Sequence, residues 1–298
     1  MKYAAIGIDL GGTRIKGVAL DQNGNLIEQV YTPTEDNAGQ SWKTAIKDTV
    51  QNLQEKLSGF EYVIGISAPG IPDENNAAIS FMPGRLQGLE GFNWTEYLNH
   101  KTYVANDAIA AMAAEARFGE AKGIQHAIML TLGTGVGGAI LIDGKIYQGA
   151  FQKAGHVGHM TVDSEGENDI CNLPGSLEDA IGNCSIEKRS LGKYTYTHQL
   201  VDDYRSGDPF ASWLWLSSVR KLSIAIASLT NILSPEKIIL GGGITEAGKD
   251  LFEPLASFMK AYEWRAGGNK VVIVKARFGD LSGAMGAAGF ALMKHNVL

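Results

Sequence analysis

The sequence is poor in the features that mark special classes of protein. Its 298 residues include two cysteines, Cys171 and Cys184, which do not make a disulfide framework, so we expect a reducing, cytoplasmic setting. Asp9 interrupts the first apolar stretch, and no unbroken apolar run reaches the roughly 18 residues that a membrane span needs. The sequence therefore predicts neither a signal peptide nor a membrane partner.

A block of basic residues is also missing. The chain has 26 lysines and arginines against 32 aspartates and glutamates, which gives a formal net charge of -6. Because a positive stripe supplies most of the affinity for nucleic acids, this balance argues against a nucleic-acid partner. With 45% hydrophobic and 19% charged residues the chain has the composition of an ordinary globular protein, and its length favours two domains.

What the sequence does contain is one short hairpin pattern in two copies. The stretch DLGGTRIKGVALD at 9–21 aligns without a gap with TLGTGVGGAILID at 131–143. Each copy reads as a strand, a glycine bend and a second strand, which ends in a tight turn at Asn23-Gly24 or Asp143-Gly144. Unrelated hairpins also look alike, but the gapless register favours a duplicated unit with one copy in each domain.

The second copy also fits the dinucleotide pattern GxGxxG, at Gly133, Gly135 and Gly138. That pattern indicates a dinucleotide site only when a helix follows the glycines. Here the glycines precede AILIDGKIYQG, which alternates and turns at Asp-Gly, so a hairpin is predicted and the dinucleotide interpretation fails. The Walker pattern GxxxxGK[ST] is absent as well.

Glycines at a hairpin bend allow backbone N–H groups to approach a phosphate closely. Asp9 would repel a phosphate, unless Mg²⁺ with its waters stands between them. Arg14 and Lys16 either offset further phosphate charge or are solvated surface groups. We therefore predict that two tips hold the phosphates of a nucleotide: Gly11, Gly12 and Thr13 in the first copy, and Gly133, Thr134 and Gly135 in the second.

The remaining patterns alternate between strands and helices in both halves, which predicts an α/β protein. The strand KTYVAND runs into an Ala-rich helix at 108–117, and the strand KIIL ends at three glycines, 241–243. A long helix, or a broken pair, covers 208–233, and residues 151–185 form a polar segment rich in loops.

Six short motifs occur in an order that carries a family resemblance: DLGGTRIKG, PG at 69–70, ANDA at 105–108, LGTGVGG, AGHVGH and LGGG. Over nearly the whole chain, this order resembles the ROK-family sugar kinases of the actin/hexokinase-like ATPase superfamily. The resemblance implies an α/β, two-domain actin-like (ribonuclease H-like) fold with duplicated β-hairpin phosphate clamps. It places an N-terminal domain at 1–107, with the last helix, 282–298, packed on it. A larger domain follows at 108–281, and the cleft between the domains is expected to bind sugar and Mg·ATP.

The resemblance also implies a reaction, the transfer of the γ-phosphoryl group of ATP to a hydroxyl, the 6-hydroxyl, of a hexose or hexose derivative. Asp107 matches the general base that deprotonates the sugar hydroxyl, although Asn106 or Asp107 could merely cap the following helix. Gly241, Gly242 and Gly243 match a nucleotide-binding segment, and a plain strand-to-helix turn is the alternative. The residues implied to surround the sugar are Gly70, Asn106, His156, His159 and Glu178.

The segment GHVGHMTVDSEGENDICNLPGSLE departs from the family at its zinc site. Family members hold a structural zinc there with one histidine and three cysteines. Aligned on Glu178, this chain keeps His159 and Cys171, but Asp169 and Ser176 occupy the other two cysteine positions. Because serine is a poor zinc ligand, we expect no structural zinc and a loop that is held by packing instead.

The second departure is His156, which stands where family members place a glutamate on the sugar hydroxyls. An imidazole donates, accepts or carries charge, whereas a carboxylate only accepts. This position therefore bears on which sugar fits, unless His156 is a packed residue in a drifted kinase. The sequence does not separate a glucokinase from an N-acetylmannosamine-type kinase.

A different class of function also has precedent in the family. Some members are transcriptional regulators with an N-terminal helix-turn-helix, whereas this chain enters its first strand by about Tyr3, which argues against DNA binding. A sugar-binding sensory protein whose kinase activity has decayed is the stronger alternative, although Asp9, Asp107 and both glycine tips are intact. Family members are often dimers or tetramers, and FASWLWL at 210–216 fits either an interface or buried core.

Overall fold

The computed structural model describes residues 2–34, 39–82, 84 and 86–297. The chain divides into two compact units. The first consists of Met1–Gly123, Gly144–Ala154 and Ala276–Leu298, and the second of Ile124–Asp143 and Gly155–Lys275. Strands and helices occur together in both units, so the prediction of an α/β protein is confirmed.

Strands and α-helices follow one another along the whole chain. The strands are β1 (Tyr3–Leu10), β2 (Arg14–Asp21), β3 (Leu26–Pro33), β4 (Glu61–Ala68), β5 (Ile71–Pro72), β6 (Ile79–Phe81), β7 (Thr102–Asn106), β8 (Ala127–Leu132), β9 (Val136–Ile142), β10 (Lys145–Tyr147), β11 (Lys237–Gly241) and β12 (Val272–Lys275). The α-helices are α1 (Ser41–Gln54), α2 (Trp94–Leu98), α3 (Asp107–Phe118), α4 (Leu177–Ile181), α5 (Ile186–Arg189), α6 (Thr197–Arg205), α7 (Pro209–Leu233), α8 (Lys249–Tyr262) and α9 (Ser282–Lys294).

The first unit is built on a sheet with the strand order β3-β2-β1-β4-β7. Strand β1 pairs antiparallel with β2 and parallel with β4. Because side chains alternate across a strand, Ile6 and Ile8 pack in the cluster that contains Trp42 of α1, whereas Ala5 packs in the cluster that contains Ala284 of α9. Helices therefore cover both faces of this sheet.

The small residues of α9 allow it to lie directly on the sheet. A Cβ atom on Gly7 of β1 would collide with the backbone of Ala284, and one on Gly65 of β4 would collide with the backbone of Ala287. Glycines at these two strand positions are therefore required by the close approach of the helix.

The compact units divide the chain differently from the predicted domains, 1–107 and 108–281. Helix α3 lies in the first unit, where it packs against α9, so the first division falls after Gly123 rather than at residue 107. The segments 144–154 and 276–281 also belong to this unit. They join it through contacts between residues far apart in the chain, which no local pattern indicates.

The second unit repeats the arrangement of the first. Its strands lie in the order β9-β8-β11-β12, where β8 pairs antiparallel with β9 and parallel with β11, and β11 pairs parallel with β12. The strands β2-β1-β4-β7 of the first unit have the same order and directions. The two hairpins that align in sequence thus occupy equivalent places in two sheets of one topology.

Helix α7 supplies much of the core of the second unit. It runs unbroken from its N-cap, where the Asp208 side chain accepts the N–H of Ala211 at 2.7 Å. Within FASWLWL, Trp215 is fully buried and donates its indole N–H to the carbonyl of Asp250 at 2.8 Å, whereas Trp213 is exposed. Among the residues that the structure describes, none of the helices combines the length and the apolar character of a membrane span.

Candidate active site

The bend between β1 and β2 leaves backbone N–H groups available at its tip. The N–H of Gly11 donates to the carbonyl of Arg14 at 3.2 Å, which closes the bend. A Cβ atom on Gly11 would lie 2.7 Å from the same oxygen, so this position suits only glycine. The N–H groups of Gly12 and Thr13 have no hydrogen-bond partner among the described residues. Neighbouring N–H groups of this kind form an anion-binding concavity.

Asp9 lies just before this tip, and its side chain is 22% exposed. Ser67 donates its hydroxyl to Oδ1 of Asp9 at 3.0 Å, and Nζ of Lys16 lies 3.9 Å from Oδ2. Burial raises the pKa of Asp9 above its ordinary value, against the opposing effects of Lys16 and Ser67. The negative charges of Asp107 and Asp280 raise this pKa further.

The two cations of the first hairpin are held by Asp280, in the turn before α9. Arg14 donates to both carboxylate oxygens at 2.8 and 3.0 Å, and Lys16 donates to Oδ1 and to the backbone carbonyl of Asp280, each at 2.8 Å. Lys16 is 16% exposed, so the interpretation as a solvated surface group is wrong for this residue. The hydrogen bond from Lys16 and the charges of both cations lower the pKa of Asp280.

The surroundings of Asp9 fit a magnesium ion held through its water shell. Mg²⁺ usually keeps several waters and uses one or two carboxylates together with substrate phosphates. Gly283, in the first turn of α9, leaves room for the Asp9 carboxyl group, since a Cβ atom there would collide with it. In the part of the chain that the structure describes, no group of three or more His, Cys, Asp or Glu residues is arranged to hold a metal ion. A magnesium ion at Asp9 would therefore depend on the phosphates for further ligands.

Asn106 and Asp107 stand where β7 gives way to α3. Oδ1 of Asn106 accepts the N–H of Ala108 at 2.9 Å, and Nδ2 donates to the carbonyl of Gly70 at 2.9 Å. Gly70 has a φ of 106°, which glycine adopts readily. Asn106 is buried and caps the helix, as the alternative interpretation predicts, whereas Asp107 is exposed at its first position. The helix dipole favours the charged form of a carboxylate there.

The bend between β8 and β9 offers the same pair of amides. The N–H of Gly133 donates to the carbonyl of Gly135 at 2.9 Å. The carbonyls of Gly133 and Thr134 accept the N–H groups of Asn183 and Cys184 at 3.0 and 2.7 Å, which fixes the tip from outside. The N–H groups of Thr134 and Gly135 have no partner within the described ranges.

A cavity of about 510 Å³ lies beside this tip, within the second unit. It is lined by Gly133 and Thr134 and also by Gly243, so the structure brings together two segments for which the sequence predicts nucleotide contacts. Gly241 ends β11, and Gly242 follows with a φ of 87°, where a Cβ atom would collide with the backbone of Leu132. Tyr196 and His198 also line the cavity, and their rings stack with centroids 5.5 Å apart.

Glu178, in α4, is bound to the second hairpin. Its Oε2 accepts the N–H of Val136 at 2.9 Å. Gly135 leaves room for this carboxylate, because a Cβ atom there would collide with Oε2. A residue predicted to bind sugar and a tip predicted to bind phosphate are therefore in direct contact.

His156 precedes a short 3₁₀ turn, Val157–His159, and the two histidine rings are nearly parallel. Their centroids are 6.4 Å apart and their planes differ by 11°. Nδ1 of His159 lies 3.6 Å from Oδ2 of Asp169, and its Nε2 lies 3.9 Å from Sγ of Cys171. Three of the four positions that align with zinc ligands thus meet around His159. The absence of zinc itself stays a prediction.

The charges around His159 do not favour a zinc thiolate. Burial raises the pKa of Asp169, but the N–H groups of Leu173 and Cys171 and the hydroxyl of Ser176 outweigh it and hold this pKa below its ordinary value. Burial and the negative charges of Asp169 and Glu178 raise the pKa of Cys171. Cys171 is therefore a neutral thiol beside an ionised carboxylate.

Comparison with known proteins identifies the family of this chain. The profile described as ROK family matches residues 5–295. The chain belongs to the ROK family. A glucokinase from Thermotoga maritima is 29% identical over 310 residues, which cover 96% of each chain. The DNA-binding transcriptional dual regulator NagC of Escherichia coli is 28% identical over 316 residues, which cover 99% of this ROK chain and 76% of the regulator.

Solved structures of ROK proteins share the fold. A ROK hexokinase from Thermus thermophilus matches with a TM-score of 0.88 and 28% identity, over 98% of this chain and 99% of that one. A ROK-family glucokinase from Streptomyces griseus, in complex with glucose and AMPPNP, matches with a TM-score of 0.78 and 25% identity, over 97% and 99%. The predicted actin-like ATPase fold of this ROK protein is thereby confirmed.

Several residues around the candidate site have no signal in the sequence. Asp280 and Gly283 reach the first hairpin from the far end of the chain, and Ser67 comes from a neighbouring strand. The stacked pair Tyr196 and His198 does have a local signal, since KYTYTHQL places two rings at the start of α6.

Proposed function

We propose that this ROK protein is an ATP-dependent sugar kinase that transfers the γ-phosphoryl group to a hydroxyl, the 6-hydroxyl, of a hexose or hexose derivative. One observation carries the proposal: a single cavity of about 510 Å³ is lined by the Gly133-Thr134 tip and by Gly243. Backbone amides without partners in the described chain, beside a cavity of this size, suit the phosphates and base of a nucleotide. The glucokinase from Thermotoga maritima and the Streptomyces griseus complex with AMPPNP support ATP as the donor.

In this proposal Asp107 is the general base. It is exposed at the first position of α3, where the helix dipole stabilises its charge. Phosphoryl transfer through a loose transition state requires the base to orient the hydroxyl and to accept its proton late. Replacing Asp107 by asparagine keeps the shape and removes the base, which is expected to lower the rate by about 10²–10⁴.

The phosphates of ATP are assigned to the two hairpin tips. Gly12 and Thr13 contribute N–H groups from the first tip, and Thr134 and Gly135 contribute them from the second. Magnesium, when bound, supplies positive charge that neutralises the phosphates, and Asp9 is the residue that would hold it through water. Arg14 and Lys16 both bind the Asp280 carboxylate, which neutralises part of their positive charge. Less positive charge is therefore available to neutralise the phosphates.

The sugar is assigned to Gly70, Asn106, His156, His159 and Glu178. The imidazole of His156 can donate a hydrogen bond that a carboxylate cannot, so it is proposed to decide between an unmodified hexose and one with a 2-acetamido group. Both a glucokinase and an N-acetylmannosamine-type kinase remain within this proposal.

A sugar-binding regulator or sensor is the second candidate function, because NagC aligns with 99% of this chain. Such a protein needs the residues that contact sugar, but not the base Asp107 or the metal-holding Asp9. Phosphorylation of a sugar therefore separates the two functions.

The deciding experiment is to measure ADP release from Mg·ATP with hexoses, 2-acetamido hexoses and sugar acids. Asp107→Asn tests the base, and Asp48→Asn, an exposed aspartate of α1 outside the site, is the matched control. We expect turnover on one class of sugar that Asp107→Asn loses and Asp48→Asn keeps. A folded protein that binds ATP but phosphorylates no sugar above the Asp107→Asn level would contradict the kinase and favour the sensor.

A further inference from the structure

Asp169 is the buried centre of the loop that precedes α4. Its side chain is fully buried, and its Oδ1 accepts the N–H groups of Cys171 and Leu173 at 2.8 and 2.9 Å. Its backbone N–H donates to the carbonyl of Leu173 at 2.9 Å, and its own carbonyl accepts the N–H of Asn172 at 2.9 Å. The loop backbone thus donates two hydrogen bonds to Oδ1, whereas Oδ2 accepts none from it.

The second oxygen, Oδ2, lies beside Nδ1 of the His159 ring. Oδ2 of Asp169 and Nδ1 of His159 are both buried, and neither has a hydrogen-bond partner within the described part of the chain. The two atoms lie 3.6 Å apart, a small side-chain rotation beyond hydrogen-bond distance. Because a buried polar atom without a hydrogen-bond partner is destabilising, closing the distance between these two atoms is favourable. The bond requires the proton on Nδ1, which leaves Nε2 as the acceptor.

The same carboxylate is connected to the helix that carries Glu178. The hydroxyl of Ser176 is close enough to lower the pKa of Asp169. Ser176 is also the N-cap of α4, where its Oγ accepts the N–H of Asp179 at 3.2 Å. Glu178 is the second residue of this helix, and its carboxylate accepts the N–H of Val136. Asp169 is therefore linked both to His159 and, through Ser176, to the helix that carries Glu178.

We infer that Asp169 is a positioning residue, which fixes the tautomer and orientation of His159 and holds α4 so that both His159 and Glu178 face the sugar. This inference rests on the proposed function in that these two residues contact the substrate. The hydrogen bond inferred between Asp169 and His159 does not depend on the proposed function.

Nitrogen-15 NMR of the histidine side chains tests the hydrogen bond directly. The chain has six histidines, and the signal of His159 is identified by its loss in His159→Gln. In the wild-type protein we expect the proton on Nδ1. In Asp169→Asn, the amide oxygen of the new asparagine must accept the N–H groups of Cys171 and Leu173, so the amide NH₂ group faces Nδ1 of His159. Because Nδ1 must then accept a hydrogen bond, the ring proton of His159 is expected to move to Nε2.

Steady-state kinetics tests the positioning role, with Asp163→Asn as the matched control. Asp163 belongs to the same loop and pairs with Lys221 at 2.9 Å rather than with a histidine. We expect Asp169→Asn to raise the sugar KM by about ten-fold or more, as for a lost charge-assisted hydrogen bond, with little change in the KM for ATP. Asp163→Asn should change neither value.

The outcomes separate this inference from the proposed function. A wild-type His159 with its proton on Nε2 overturns the inference even if Asp169→Asn does not fold, because this spectrum needs no variant of Asp169. A tautomer that moves while the sugar KM stays unchanged overturns the positioning role. A wild-type protein that phosphorylates no sugar overturns the proposed function, and the spectrum still decides the contact between Asp169 and His159.

Discussion

The two glycine hairpins offer the same pair of backbone amides at their tips and differ in their side chains. In each, the N–H of the first glycine closes the bend and the next two N–H groups have no partner in the described residues. The first hairpin adds Asp9 and Lys16 to this backbone, where the second has Thr131 and Gly138 at the aligned positions. The amide pair is therefore common to both copies, whereas the charges belong to one.

The supports of the hairpins differ as well. The first is held by Asp280 and Gly283, from the turn before α9 and its first turn. The second is held by Asn183, Cys184 and Glu178, which follow it within the same unit. Each bend is therefore fixed by a partner segment that lies elsewhere in the sequence, and each can be disturbed separately.

Removing the charge of the first hairpin is the strongest test of this comparison. Asp9→Asn is expected to lower kcat for sugar phosphorylation by about 10²–10³, because a metal is worth several kcal/mol in the transition state. The aligned variant Thr131→Val removes a polar group of similar size and is expected to keep the rate within about three-fold. The measurement is ADP release at saturating Mg·ATP and sugar. Equal losses in the two variants would show that the difference in charge has no functional meaning.

Adding a methyl group to the second hairpin has the next largest expected effect. In Gly135→Ala the new Cβ atom displaces the Glu178 carboxylate and breaks its 2.9 Å bond with Val136. We expect a sugar KM about ten-fold higher and a loss of about 1–2 kcal/mol in the free energy of unfolding.

Gly133→Ala is the control for this second test, because its Cβ atom would have no neighbour within 4 Å. Its free energy of unfolding, measured by urea titration, should stay close to that of the wild type. A destabilisation equal to that of Gly135→Ala would mean that the backbone of the tip, rather than Glu178, is what the methyl group disturbs.

The smallest expected effect is on the pH dependence of stability. Because burial raises the pKa of Asp9 in the folded protein, its carboxyl group contributes stability below its unfolded pKa of about 3.9, and the contribution is lost as the pH rises through the folded pKa. Asp9→Asn should therefore gain stability over the wild type as the pH rises above about 3.9, by roughly 1.4 kcal/mol for each unit by which folding raises the pKa. Urea unfolding of both proteins across this range is the measurement. A gain that increases toward acid pH would have the wrong sign.

The backbone elements of the site can be predicted from the sequence. The gapless alignment of 9–21 with 131–143 predicts the two hairpins, and both form with the same directions of pairing. The strand-to-helix transitions at Asn106 and at Gly241 also follow from local apolar runs and the residues that end them. These features depend on neighbours in the chain, which is why pattern alone finds them.

The residues that contact the site residues cannot be predicted from local patterns in the sequence. Asp280 binds Arg14 across 266 positions of sequence, and nothing near Asp280 distinguishes it from an ordinary surface aspartate. The sequence marks Asp169 only as a residue at one of the positions where family members have a zinc-binding cysteine. Its burial, and the match between its Oδ2 and Nδ1 of His159, arise from the path of the loop in three dimensions.

Helix α9 also determines the order in which the two units can be completed during synthesis. The second unit has all of its residues once position 275 has left the ribosome, whereas the sheet of the first unit needs the backbones of Ala284 and Ala287 against Gly7 and Gly65. At about 5–20 residues per second, strands β1 to β7 wait on the order of ten seconds or longer for this helix. During that interval the apolar face around Ala5 and Val18 lacks the helix that buries it, so the unit that is translated first is the one that is completed last.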